Sequence, residues 1–195
     1  MRRITSVLLA AGLTSGFLAV TPTPANAKGP GMACMFYYPF QWLKIQWGHT
    51  GWAFKVPGDD RWVMGSADNT DHGGPEYTFN SRPKERNVWV IRVANFDVVK
   101  HRFRELTYTS YRCAKTKNSA VGAAQQHAFK ERGYDFVSNN CAHHTYNTLR
   151  VYGVPTGGPP PSMMTPPKTM TQPGYNVLAW YNSMPTSLFH PAIKL

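Results

Sequence analysis

The sequence predicts an α+β fold in which a small antiparallel sheet packs against helices. Residues 50–56 (TGWAFKV) alternate between larger apolar side chains and Gly, Ala or Lys, and a turn cluster at 57–60 leads to a return strand at 61–66. Helical spacing follows later, after Ser119 and again from Cys141. The chain of 195 residues is 42% hydrophobic, enough for one packed domain.

The first 27 residues have the features of a secretory signal peptide. Arg2 and Arg3 precede an apolar stretch at 7–20, and the small residues at 25–27 (ANA) form a cleavage site. No second stretch long enough to span a bilayer follows, so we expect no membrane anchor. The sequence therefore predicts a secreted, extracellular protein whose mature chain begins near residue 28.

The mature chain is strongly basic. Without Arg2 and Arg3, 19 basic residues remain of the 21, against 10 acidic residues, which gives a net charge of +9. This charge favours an anionic cell-wall or membrane surface as a partner. The basic residues are dispersed and are not interleaved with aromatic residues in a run, which argues against nucleic acid. The residues specify no oligomeric state.

The remaining strands are predicted in chain order. Residues 33–47 are rich in aromatic residues and begin with a strand, and residues 67–87 read as a long polar loop. A strand at 88–93 (VWVIRV) is apolar on both sides, which predicts a central position. Residues 94–107 have a roughly helical spacing of apolar side chains, and another strand is predicted at 108–113.

Two helices and a tail complete the chain. One helix begins after Ser119 and stops at Gly133; the second covers 141–152, with Asn139 or Asn140 as N-cap and Gly153 just beyond it. We take 28–153 as the domain. The segment 154–195 is a linker followed by an apolar end that docks on the domain, since ten of the twenty residues at 155–174 are Pro or Gly.

The three cysteines all belong to the mature chain, and export permits disulfides. Cys34 and Cys113 both have strand-like surroundings, so we predict a disulfide between them. Cys141 is then the free thiol. Its place in the first turn of a helix favours the thiolate, because the helix dipole and the unpaired N–H groups there are positive.

A thiolate nucleophile also needs a base from another element, and His49 at the start of a strand can supply it. The segments GHTGWAF (48–54) and NNCAHHTYNTLRVYGV (139–154) resemble the circularly permuted NlpC/papain-like thiol enzymes, which include the lecithin:retinol acyltransferase-like group. In that family the His strand precedes the Cys helix, as here. The resemblance covers roughly 35–153 and implies a permuted papain-like domain with Cys141 as nucleophile and His49 as base.

Members of this family usually take a third polar residue, often His, from the strand paired with the His strand. It orients the imidazole. The corresponding stretch of this sequence, RWVMGS, offers Ser66, with Asp68 and His72 just beyond it. The family position therefore has three candidates here.

The function predicted is a secreted cysteine-dependent hydrolase, an amidase or peptidase acting on cell-wall peptides by family analogy. The alternatives are a lipid acyltransferase or esterase with the same residues, or an exported binding or inhibitor module without activity. A buried, unreactive Cys141 would be consistent with the binding or inhibitor module. His143 and His144 are expected to face solvent. A metal site of Cys141, His144, His49 and His72 would lack the close ligand pairs of zinc motifs, so we expect neither metal nor cofactor.

Overall fold

The computed structural model describes residues 29–39, 41–42, 45–46, 48–67, 88–130, 140–156 and 177–195. The predicted signal peptide and most of the predicted loop at 67–87 lie outside these residues, as does most of the Pro/Gly-rich segment. The elements are β1 (Gly31–Tyr38), β2 (Gln41–Trp42), β3 (Ile45–Gln46), β4 (His49–Lys55), β5 (Trp62–Ala67), β6 (Val88–Val93), α1 (Phe96–Glu105), β7 (Ser110–Thr116), α2 (Val121–Lys130), α3 (Cys141–Tyr152), α4 (Val177–Ser183) and β8 (Ile193–Lys194).

The fold is α+β, which confirms the predicted class. Six of the described strands form one antiparallel sheet in the order β6-β5-β4-β1-β7-β8, and β2 pairs with β3 separately. The prediction that β6 is central is wrong, because β6 is at one end of the described sheet. Its side chains are apolar on both sides since helices cover both faces: Trp89 and Val90 are both buried, in different clusters.

The two faces of the sheet bury different helices. On β4, Trp52 and Phe54 belong to the cluster that also contains side chains of α2, α3 and α4. Ala53 belongs to the cluster on the other face, with Val99 and Phe103 of α1. Successive side chains of a strand point to opposite faces, so this alternation decides which β4 residues can meet which helix.

The helix α3 has the bounds that the sequence predicts. Asn140 is its N-cap, and Asn140 Oδ1 accepts hydrogen bonds from the backbone N–H groups of Ala142 and His143. Gly153 follows the last residue with a φ of 107°, a left-handed conformation that glycine adopts without a Cβ clash. Both ends of α3 are therefore set by residues next to it in the sequence, which fixes where Cys141 begins the helix.

The C-terminal segment packs on the domain through the buried Arg112. The Arg112 guanidinium donates to the backbone carbonyls of Tyr181 (2.7 Å), Met184 (2.9 Å) and His190 (3.1 Å). Burial lowers the pKa of Arg112 from its ordinary value. β8 then pairs with β7, so the segment 177–195 completes both the sheet and the core.

The disulfide predicted between Cys34 and Cys113 is present, and the two cysteines face each other across β1 and β7. Cys141 is buried and is not part of the disulfide. Within the described residues, no helix combines the length and apolar character needed to cross a membrane.

Candidate active site

Cys141 is the first residue of α3, in the cluster between the sheet and α2–α4, and only 2% of it is exposed. The first turn of α3 contains no acidic side chain. The positive end of the helix dipole is therefore not offset by a carboxylate of that turn, which favours an anion at this position.

Two side-chain hydrogen bonds join α3 to β4. Thr50 donates to the Thr145 hydroxyl across 3.2 Å, and Trp52 Nε1 donates to His144 Nδ1 across 3.1 Å. Thr145 lies one helical turn after Cys141. These bonds place the start of α3 at the end of β4 that begins with His49.

His49 and Ser66 are brought together by the pairing of β4 with β5. His49 Nε2 lies 2.9 Å from Ser66 Oγ, and the His49 ring lies beside the rings of Tyr38 and Tyr108. Of the three candidates for the orienting residue, Ser66 is therefore the one seen in contact with His49. Asp68 and His72 lie outside the described residues.

The His49 ring lies on the α1 side of the sheet, whereas Cys141 lies on the α3 side. Ser66 is paired directly with Gly51, and a Cβ on Gly51 would come within 2.5 Å of the Phe103 ring of α1. His49 has the same strand parity as Gly51, so its side chain shares that face. Thr50, Trp52 and Phe54 are the β4 residues that face α3.

The expectation that His144 faces solvent is wrong. His144 is only 2% exposed, its Nδ1 accepts the Trp52 indole N–H, and its Nε2 lies 3.4 Å from the Ala128 carbonyl of α2. An indole N–H can only donate, so Nδ1 carries no proton and the neutral ring holds its proton on Nε2. Through these two contacts His144 joins β4, α3 and α2. It is buried because the tertiary packing turns this face of α3 inward.

His143 is half-buried, and its Nδ1 lies 3.1 Å from Asn140 Oδ1, beside the cap of the helix. Within the described ranges, no three His, Cys, Asp or Glu side chains converge in a way that could hold a metal ion. Of the residues of the conceivable metal site, His144 accepts a hydrogen bond from Trp52 and His49 lies on the other face of the sheet, whereas His72 lies outside the described residues.

Sequence reasoning missed two contacts near the site, that of Tyr108 with Ser66 and that of Trp52 with His144. The Tyr108 hydroxyl donates to Ser66 Oγ across 3.2 Å, and Ser66 in turn donates to the Thr50 carbonyl across 3.0 Å. Tyr108 comes 42 residues after Ser66, from the end of α1, and the sequence marks it only as the start of a predicted strand. No local pattern marks such a contact, since it depends on how α1 crosses the sheet.

No protein-family model and no curated protein matches the chain. Among solved structures, the chain is similar to the crystal structure of the type VI secretion system effector TseH. The sequence identity is 11%, the similarity covers 80% of this chain and 90% of that chain, and the TM-score is 0.48. Similarity at this level concerns the course of the backbone and assigns no residue of this chain a role.

Proposed function

We propose that the protein is a cysteine-dependent hydrolase in which Cys141 is the nucleophile and His49 the base. The observation that carries the proposal is the position of Cys141: it is the one cysteine outside the disulfide, and it begins a capped helix whose first turn contains no carboxylate. That helix end is held against the end of β4 that begins with His49. The order of His strand and Cys helix also resembles the permuted papain-like enzymes.

The reaction proposed is acyl transfer from an amide or ester to water. His49 takes the thiol proton, and the sulfur attacks the carbonyl carbon to give a tetrahedral oxyanion. The backbone N–H of Cys141 is one proposed donor to that oxyanion, since the N–H groups of Ala142 and His143 are taken by Asn140. The carbon–nitrogen or carbon–oxygen bond then breaks, and the leaving group receives the proton from His49. Water hydrolyses the thioester and restores the thiol.

The proposal makes one geometric demand on His49. Its ring is on the α1 side of the sheet and the sulfur is on the α3 side, so proton transfer must occur round the end of β4. His49 is the first residue of that strand, so its ring lies at that end of β4. His144 does not meet the demand in its neutral form, because both of its nitrogens are engaged.

The substrate class proposed is a peptide of an anionic cell wall, outside the cell. The basic mature chain and the signal-like first 27 residues support this location, and the disulfide is compatible with export. Lipid esters are the competing substrates, because the same thiol and imidazole would transfer a fatty acyl group.

A second candidate function is an exported binding or inhibitor module. It is favoured by the 2% exposure of Cys141 together with the placement of His49 on the opposite face of the sheet. In a binding module, Cys141 would only pack in the core, and no base would be needed beside it.

Trapping the acyl-enzyme separates these functions. The mature protein is mixed with a cell-wall peptide digest, with phospholipid vesicles, or with p-nitrophenyl acetate, and the intact mass is measured after rapid acid quenching. The proposal expects an acyl adduct on Cys141 that is absent from Cys141→Ala. Released amine identifies a peptidase, and released fatty acid identifies a lipid enzyme. No adduct and no product with any of the three would favour the binding module.

A further inference from the structure

Cys141 is almost completely buried, although the proposed reaction needs a carbonyl carbon to reach its sulfur. Only 2% of the residue is exposed, and it belongs to the buried cluster between the sheet and α2–α4. An element packed around this cluster must therefore move before a substrate can reach the thiol. The segment 177–195 contributes five side chains to the same cluster: Val177, Trp180, Tyr181, Met184 and Phe189.

The helix α4 lies on the α3 side of the sheet, at the end where α3 begins. Thr145, one turn after Cys141, accepts a hydrogen bond from Thr50 of β4. Thr50 is paired with Tyr37 of β1, and paired residues share one face of a sheet. The Tyr37 ring stacks on the Tyr181 ring of α4, with centroids 5.3 Å apart. The strands below α3 and α4 are thus neighbours, about 4.8 Å apart, and α4 flanks the start of α3.

Arg112 of β7 binds the end of α4 through backbone carbonyls. Its guanidinium donates to the carbonyls of Tyr181, near the end of α4, and of Met184, just after the helix. The C-terminal end of a helix carries a partial negative charge, which favours a cation there. A third bond, to the His190 carbonyl, holds the chain between α4 and β8. One side chain of the sheet therefore anchors the segment 177–195 at three points.

Three features favour the opening of this segment. α4 has seven residues, against ten in α2 and twelve in α3. The strand that follows, β8, adds only Ile193 and Lys194, and both are exposed. The Trp180 indole N–H is buried and has no hydrogen-bond partner among the described residues. A buried donor without a partner costs free energy, which contact with water would recover when the segment opens.

We propose that the segment 177–195 is a lid that controls access to Cys141, with Arg112 as its latch. In the closed state, α4 packs beside the start of α3 and the thiol is buried. Release of the bonds to Arg112 lets α4 leave β1 and β7, and the substrate enters beside the start of α3. The inference rests on the proposed function, because only a reacting thiol has to be reached by a substrate.

The first test compares Arg112→Gln with Arg92→Gln. Both replace an arginine of the sheet that bonds to a neighbouring helix or segment, since Arg92 donates to Gln125 of α2 across 2.9 Å. Alkylation of Cys141 by iodoacetamide, followed by peptide mass mapping, measures access to the thiol. Arg112→Gln should react about ten- to a hundredfold faster than wild type, the effect of losing hydrogen bonds from a charged group. Arg92→Gln should react at the wild-type rate.

A disulfide tether tests the lid without removing Arg112. Ser110 of β7 and Lys194 of β8 are paired across the strands, and neither is buried. The oxidised double variant Ser110→Cys/Lys194→Cys should alkylate at Cys141 about tenfold or more slowly than Ser110→Ala/Lys194→Ala, because a cross-link disfavours the open state. Peptide mapping before alkylation verifies that the tether has formed and does not include Cys141.

Equal alkylation rates of Arg112→Gln and Arg92→Gln would overturn the proposal, as would equal rates of the tethered variant and its alanine control. If circular dichroism shows that Arg112→Gln does not fold, the comparison with the tether decides alone. A failure of the proposed function is a different result. It is seen as the absence of an acyl adduct on Cys141, whether or not the tether changes the rate of alkylation.

Discussion

Trp52 donates its indole N–H to Nδ1 of His144 across 3.1 Å, between the centre of the sheet and the helix that begins with Cys141. Because the indole cannot accept, a protonated His144 would place two donors against each other. The bond makes His144 a neutral, structural residue of the core. It also distinguishes His144 from His49, the histidine that is proposed as the base.

The first prediction concerns His144. His144→Ala should lower the free energy of unfolding by about 1–3 kcal/mol, because the Trp52 N–H is left buried without its acceptor. Urea denaturation measures the loss, and Trp52→Phe is the matched control that removes the donor. In folded His144→Ala the pH dependence of Cys141 alkylation should persist. If that dependence disappears while the protein stays folded, His144 is the base.

The second prediction concerns the left-handed Thr107. Thr107→Gly should raise the free energy of unfolding by up to about 1 kcal/mol, because glycine adopts a φ of 64° without the Cβ penalty. The bonds from residues 107 and 108 to α1 are made by the backbone and should be retained, so the end of α1 should keep its conformation. A lower stability of Thr107→Gly in thermal unfolding would contradict this account.

The third prediction concerns alkaline pH. Burial raises the pKa of Tyr152 and of Tyr181 from 10.0 to about 12. Between pH 10 and pH 12 the unfolded chain releases both protons while the folded protein keeps them, so stability should fall as pH rises through this window. The slope is at most about 1.4 kcal/mol per pH unit for each tyrosine.

Tyr152→Phe is the control for this slope. It removes one of the two tyrosines with a pKa of about 12, so the decline of the unfolding free energy above pH 10 should become less steep. An unchanged slope in urea titrations at pH 10, 11 and 12 would show that Tyr152 does not resist ionisation in the fold.

The fourth prediction concerns the disulfide. Cys34 and Cys113 are separated by 79 residues, so the bond should contribute about 4 kcal/mol by restricting the unfolded chain. Peptide mass mapping of the unreduced protein should show this bond and one titratable thiol, Cys141. The Cys34→Ala/Cys113→Ala double variant should unfold at lower urea concentration. A bond that includes Cys141 would contradict the nucleophile assignment.

Local signals made much of the fold predictable. Asn140 and Gly153 determine the bounds of α3 through capping, and the alternation at 50–56 identifies β4 to within one residue. The position of β6 was not predictable from its own residues, because an end strand covered on both faces is as apolar as a central one. Residues at 94–107 have a helical spacing, and the helix there, α1, begins after its N-cap Asn95 and ends at its C-cap Leu106.

The site was predictable only in its components. Cys141 and His49 are found at the starts of their elements, as the sequence indicates. Which face of the sheet each side chain occupies depends on strand register, and a shift of one residue reverses it. The contacts of Tyr108 and His144 depend on helices that cross the sheet from distant parts of the chain, so no spacing in the sequence reveals them.

The most direct test of the account is the pH dependence of Cys141 alkylation by iodoacetamide in wild type, His49→Ala and His144→Ala. We expect wild type and His144→Ala to react through a thiolate that forms below the unperturbed thiol pKa of about 8.5, and His49→Ala to shift its midpoint toward that value. The folded state of each variant is checked by circular dichroism. Identical profiles for wild type and His49→Ala, with a Cys141 that reacts only on unfolding, would contradict the assignment of His49 as the base and leave Cys141 a core residue.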